Sequence, residues 1–382
     1  MQLSAPRLKK CGAGFGIIVA SCLGGVAAAR QIGIAARRYA PPARGVRQPA
    51  NHRLPIRFDG PPATGGLWLG RHRAVLWGWG NLYLWNTRNG RTRLLVGGRR
   101  NHYKRIIVLG AFLVGSGRSG KVLLVSSLRA SAVTQGVASP WTIAVLREDR
   151  MRVRGAVRLH FAPEAACYAG SGEGLVLAAR TGGLWQWKGR GRPRRLAGFS
   201  HTSGTGPLGL ASAPDAGRLA VACGGRIRIY KNASTRPLCT LRLPRGRREV
   251  CMAFLPNGKQ LAVVDTSERV AVWSTKHGAL VRRFPGRYLL ATSIAPSPDG
   301  RRLALAHVSL PGITTAGRST GTCYGWLTVL NARSGAVEFR TKKVHQFAFG
   351  CAWSPRAHHL IGAMQLQSFV WSPPSAYVGH KR

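Results

Sequence analysis

The string nearest to a ligand-binding motif is Gly115-Ser116-Gly117-Arg118-Ser119-Gly120-Lys121-Val122, which follows the apolar run Ile106–Val114. It satisfies the dinucleotide pattern G-x-G-x-x-G and falls one residue short of the phosphate-binding pattern G-x-x-x-x-G-K-[ST]. In a phosphate loop the backbone amides cradle the anion, and the hydroxyl after the lysine holds magnesium. Here Val122 fills that position, and residues 121–127 continue as an extended apolar run rather than a helix. No acidic residue lies about 20 positions on to hold a ribose. The string reads as a turn between two strands, with Lys121 a solvated side chain at a strand start.

Acid–base chemistry has little to work with. The chain has 11 carboxylates in 382 residues, and they are scattered. Asp215 and Asp299 fall in Pro-containing turns, where an aspartate caps its own backbone. Asp265 and Glu268 form a second local acidic feature that also fits a turn. His358 and His359 adjoin in what reads as a strand, so their side chains should point to opposite faces and not chelate together. None of the eight cysteines forms a close Cys-x-x-Cys pair, which leaves zinc without support. Cys223, Cys251 and Cys351 sit in apolar runs and read as small buried hydrophobes. Nothing demands a disulfide. The expectation is a non-enzyme without metal or cofactor.

The elements that would carry any site are strands. Arg248 to Gly286 contains four short apolar runs with partial alternation (residues 250–254, 260–264, 269–273 and 280–284), each ended by a turn signal. That pattern predicts a four-stranded antiparallel meander. Such a sheet cannot bury both faces alone and needs copies of itself to stack on. Trp273, at the end of the third run, marks the copies. Its counterparts are Trp85, Leu146, Trp187, Tyr230, Leu330 and Trp371, spaced 61, 41, 43, 43, 57 and 41 residues apart along the chain. Gly90, Gly278 and Gly335 each follow a marker by five residues and close a third-to-fourth strand turn. Pro163, Pro214, Pro256, Pro298 and Pro355 mark the turn between first and second strands. Four strands per repeat of about 40–45 residues predict a seven-bladed β-propeller in an all-β chain.

Residues 250–278 and 293–335, the best preserved copies, resemble blades of the WD-repeat family, and the likeness extends roughly from Arg53 to the C-terminus. The Trp-Asp dipeptide itself is absent, since Asn, Arg, Lys or Ser follows each marker. His102, His201 and His345 fall near inter-blade connections, where the resemblance implies a structural histidine. The last copy runs out just after Trp371, while residues 53–58 form an isolated strand ahead of the first meander. That strand is expected to complete the last blade and close the ring, removing open sheet edges. Trp185/Trp187 and Trp77/Trp79 alternate by two and should pack between blades.

Residues 1–50 differ from the rest. Arg7, Lys9 and Lys10 precede residues 11–29, which carry no charge and end in Ala27-Ala28-Ala29. This reads as a signal-like or membrane-anchor segment, with a lipobox-like Val19–Cys22; an organelle presequence and an untargeted arm remain alternatives. Residues 30–52 read as a basic, Pro-containing linker, and residues 53–382 as the propeller. Export or membrane anchoring is the expected localisation, with the cytoplasm as the alternative.

Function is pointed to by charge and loops. Lys and Arg number 58, for a net charge of +47. That excess implies a polyanionic partner or, equally, GC-rich codon drift, since arginine supplies most of it. Two copies are longer than the rest, through residues 128–140 and 309–325, and both insertions join a second strand to a third. In a meander that loop shares a face with the connections between blades. Those connections carry Arg99, Arg100, Lys104, Arg105, Arg245, Arg247, Arg248, Arg287, Lys342 and Lys343, the candidate binding-face residues. The expected function is a monomeric interaction scaffold that binds a protein or peptide across this face. The alternative is binding of nucleic acid or an anionic membrane through the Arg-rich loops.

Overall fold

Residues that alternate sides along a strand can serve two interfaces at once. In the second strand of the fifth sheet (Gln260–Asp265), Leu261 and Val263 pack toward the preceding sheet, while Ala262 and Val264 pack toward the following one. Repetition of that arrangement builds the molecule. The computed structural model describes the strands and most short turns between Ile56 and Ser372. Outside the described residues lie 1–55, 373–382, 131–140, 310–323 and several shorter connections.

The described strands form seven four-stranded sheets, each antiparallel throughout. These are the blades, numbered 1 to 7 from the one holding Trp85 to the one holding Trp371. Six are consecutive meanders. The seventh takes its fourth strand from the other end of the chain: Ile56–Phe58 pairs with Ser368–Trp371, in the register Ile56↔Val370. The ring is therefore closed by the strand expected to close it, over residues 56–58, with 53–55 outside the described residues.

All seven markers lie on third strands and are buried. Core residues form seven clusters, and each joins two neighbouring blades. The blade 2–3 cluster holds Leu123, Ile143, Leu175 and Trp187 with Trp185 against it, so that tryptophan pair packs between blades. Trp77 packs at the blade 1–2 boundary, and Trp79 lies outside the described residues. Second strands such as Leu175–Ala179 are buried along their whole length, whereas fourth strands such as Leu280–Arg283 are mostly exposed. Long rows of buried aliphatics thus come from the strands sandwiched between blades.

The turns show why the Trp-Asp dipeptide is dispensable. In blades 1 and 6 the residue after the marker is Asn86 or Asn331. Its side-chain oxygen accepts the backbone N–H of Arg88 (2.9 Å) and of Arg333 (2.9 Å) respectively. Any short side chain with an acceptor oxygen can cap that turn. Gly90, Gly278 and Gly335 close these turns with φ of 73°, 69° and 75°, a region that favours glycine.

Three expectations change. Pro163 opens the first strand of blade 3 (Pro163–Tyr168) and does not sit in the turn after it. That turn, residues 169–174, contains no proline. His358 and His359 lie in the turn before the second strand of blade 7 (Leu360–Met364), not in a strand, because Pro355 and the residues after it occupy the bend. The two insertions are partly strand. Blade 2 extends Lys121–Ala130 and blade 6 pairs Ser309 with Tyr324, so their added length begins as longer ladders. The segment 1–52 is outside the described residues. Among those described, no helix is long and apolar enough to cross a membrane.

Candidate functional site

A strictly antiparallel meander sorts its loops onto two faces. The turns between strands 1 and 2 and between 3 and 4 make one, here the turn face. Loops joining strands 2 and 3, together with the connections between blades, make the other. Residues 131–140 join Lys121–Ala130 to Trp141–Arg147, and residues 310–323 join Arg302–Ser309 to Tyr324–Asn331. Both belong to the second face, the insertion face.

Of the ten candidate basic residues on that face, Arg99, Arg100, Arg245, Arg247, Arg248, Arg287 and Lys342 lie outside the described residues. Lys104 and Arg105 begin the first strand of blade 2 (Lys104–Val114), and their side chains are likewise outside. Lys343 is exposed, with its ammonium 5.1 Å from the centroid of the Trp326 ring. Trp326 in turn stacks on buried His307, with ring centroids 5.0 Å apart and an interplanar angle of 11°. A cation over an indole face is held by the ring quadrupole. Lys343 is thereby placed at the base of the blade 6 insertion. His102, His201 and His345 are outside the described residues.

The cleft that the structure does build on this face was not foreseen as a site. It lies between blades 4 and 5, is about 10 Å³ in volume, and is lined by Leu243, Pro244, Val263, Asp265, Arg269, Ala271, Trp273 and Arg283. Each of these is placed by the fold. Leu243 and Pro244 follow the fourth strand of blade 4 (Pro237–Arg242) as it leaves for blade 5. Asp265 ends a second strand and Arg269 precedes the third (Val270–Ser274), so both stand at the mouth. Ala271 pairs with Arg283, which brings that arginine to the same side of the sheet. Val263 lies behind Asp265, and Trp273 is farthest in along its strand.

The electrostatics of the cleft are uneven. Asp265 is 7% exposed, and its Oδ1 accepts the Arg269 backbone N–H at 3.4 Å. Arg269 and Arg283 are exposed, and their guanidinium groups have no hydrogen-bond partner among the described residues. Trp273 is 8% exposed, yet its indole Nε1–H is buried without an acceptor among the described residues. Buried donors are nearly always paired, and an unpaired one calls for a specific explanation. Trp187, the same marker in blade 3, donates to the Gly191 carbonyl at 3.0 Å. The indole Nε1–H of Trp371, the marker of blade 7, is likewise buried without an acceptor among the described residues, so the Trp273 donor is not special to this cleft.

Other reactive groups are quiet. Among the described residues no three His, Cys, Asp or Glu side chains come together to hold a metal ion. Cys167, Cys223, Cys239, Cys251 and Cys351 are free thiols. Burial pushes the Cys167 and Cys351 thiols up to about 12, and that of Cys251 higher still, which suppresses the nucleophilic thiolate. The residues 115–120 lie outside the described residues; they connect the first two strands of blade 2, and Lys121 stands exposed at the strand start.

The fold just described has known counterparts. A chain in the crystal structure of the mitotic checkpoint complex superposes with a TM-score of 0.61 at 13% sequence identity, covering 88% of this chain and 100% of that one. Because 1563 solved chains match, the likeness identifies an architecture and not a partner. This chain is a seven-bladed β-propeller. No family model and no curated protein matches it.

Proposed function

We propose that this propeller is a non-enzymatic scaffold that binds a protein or peptide across its insertion face. The carrying observation is the coincidence on that face of both long loops with a cleft flanked by the exposed Arg269 and Arg283. Propellers host scaffolds and enzymes alike, so the site must decide. Here no cluster of acids or metal ligands among the described residues favours chemistry. The structural neighbour sits in a complex, in keeping with a protein partner. The second reading, polyanion binding, draws on the net charge of +47.

A pull-down from lysate with and without nuclease tests the choice. The bait is the full chain, either wild type or with residues 310–323 replaced by a short Gly-Asn turn. Proteins that stay bound to wild type after nuclease and are lost from the shortened variant are expected. Binding that disappears with nuclease would transfer the case to nucleic acid.

A further inference from the structure

The turn after the marker of blade 3 is built differently from its counterparts. In blade 6, Asn331 Oδ1 accepts the N–H groups of Arg333 and Ser334, and the Asn331 carbonyl accepts that of Gly335. In blade 5, Ser274 Oγ accepts from His277, and the Ser274 carbonyl from Gly278. The residue after Trp187 is Lys188, whose side chain has no acceptor oxygen. None of the backbone N–H groups of residues 188–192 has a hydrogen-bond partner among the described residues. The turn is nevertheless held in shape. Trp187 Nε1 donates to the Gly191 carbonyl, and Gly189 and Gly191 have φ of 83° and 68°, with Arg190 between them outside that region. Alternation of this kind aims successive N–H groups to one side, as in the backbone concavities that hold anions.

A Cβ at Gly189 or Gly191 would meet nothing within 4 Å, so an incoming group can reach the backbone. Cations surround it. Lys188, Arg190, Arg192 and Arg194 stand at every second residue, all exposed, and their side chains have no hydrogen-bond partner among the described residues. Of the carboxylates in blade 3, Glu164 stands at the opposite end of the sheet and Glu173 is outside the described residues. Unpaired donors among fixed positive charges call for an anion with several oxygens. Charge repeated at every second residue suits a chain of phosphates better than one carboxylate or one phosphoserine. Confinement of the unpaired donors to one turn suits a narrow strand better than the plane of a bilayer. No aromatic ring stands among residues 188–195 to stack on a base, so the backbone would be read and not the sequence. We propose that this turn is a nucleic-acid site that binds the phosphate backbone without sequence preference. It is a second binding function, on the turn face, and is independent of the protein partner proposed for the insertion face.

Fluorescence anisotropy of a labelled DNA duplex of mixed sequence, titrated with the full chain over a series of salt concentrations, tests this. Each phosphate contact contributes about −0.9 to the slope of log affinity against log salt. Lys188→Gln/Arg190→Gln/Arg192→Gln should reduce that steepness by about 2–3, and the affinity roughly tenfold or more at physiological salt. Arg88→Gln/Arg236→Gln/Arg333→Gln removes the same charge from the turns of blades 1, 4 and 6 and should keep the wild-type slope within about 1. All six side chains are exposed, so the two variants should melt with wild type. A duplex of scrambled sequence should bind equally well. Equal losses in the two variants would overturn the site in favour of general attraction to a basic chain. So would phosphatidylserine vesicles or a phosphoserine peptide displacing the labelled duplex better than unlabelled duplex does at equal phosphate concentration. Neither result touches the insertion-face reading, which rests on proteins retained after nuclease.

Discussion

The two faces of the disc differ in how far their arginines are tied down. On the turn face, several arginines are engaged. Arg218 Nη1 donates to the Gly258 carbonyl (2.7 Å) and Thr275 Oγ1 (3.0 Å), tying blade 4 to blade 5. Arg282 reaches the carbonyls of Ala332 and Arg333 in blade 6, and Arg302 pairs with Glu338 at 2.7 Å. On the insertion face, Arg269 and Arg283 flank a cleft without hydrogen-bond partners among the described residues. Part of the arginine excess is thus structural, spent on joining blades through backbone carbonyls. The remainder is spread over both faces: Arg88, Arg91 and Arg333 on the turn face are exposed and, like Arg269 and Arg283, have guanidinium groups without a hydrogen-bond partner among the described residues. A large positive charge is therefore a poor guide to function until each guanidinium is traced to its partner.

The sharpest way to probe the turn face is Gly335→Val. That residue holds φ of 75°, and an added Cβ would come within 2.9 Å of the Phe284 ring. Strained backbone and a clash together should cost about 2 kcal/mol or more in denaturant unfolding. Next in size, Arg218→Ala removes two hydrogen bonds between blades, while the Gly258 carbonyl keeps its bond from Thr275 Oγ1, for about 1 kcal/mol. Arg269→Ala on the other face should stay within about 0.5 kcal/mol, as surface substitutions do. Equal costs for the two would erase the contrast between the faces. The tryptophan markers offer a finer test by thermal unfolding. Trp187→Phe forfeits its bond to Gly191 and should cost about 1 kcal/mol, while Trp273→Phe has no such bond to lose and should cost roughly nothing from that source.

The smallest effect concerns pH. Burial raises the Asp299 carboxyl, but hydrogen bonds from the Ser297 hydroxyl and the Arg301 N–H, with the charges of Arg302 and Arg301, outweigh it and hold the group below its ordinary value. A depressed folded-state pKa gives stability that is present above the unfolded value and lost as pH falls through the folded one. Wild type should therefore shed a small increment of stability on acidification below the ordinary aspartate range. Asp299→Asn should shed none there, as read from melting temperatures across that range.

Most of the fold was legible because it is written in repetition. Trp85, Trp187, Trp273 and Trp371 recur at blade spacing, and their burial between blades follows from the need of each sheet for a neighbour. Closure by Ile56–Phe58 was legible from an unpaired strand at one end and a missing one at the other. Pro163 and the pair His358–His359 misled because a proline at a strand start and a histidine pair beside a turn look alike in one dimension. The cleft was not legible at all. Asp265, Arg269 and Arg283 are brought together by cross-strand pairing, and Leu243 and Pro244 by a neighbouring blade. The signal that was available is positional: arginines at the ends of strands that point to the insertion face, beside a marker tryptophan followed by serine.

The central claim is that partners dock on the insertion face. Site-specific photo-crosslinking tests it most directly, with a benzophenone amino acid placed singly at 269, 283, 88 or 333 in the full chain and irradiated in nuclease-treated lysate. Discrete protein adducts are expected from positions 269 and 283 and none from 88 and 333. Adducts forming equally from all four positions, or only from the turn face, would contradict it.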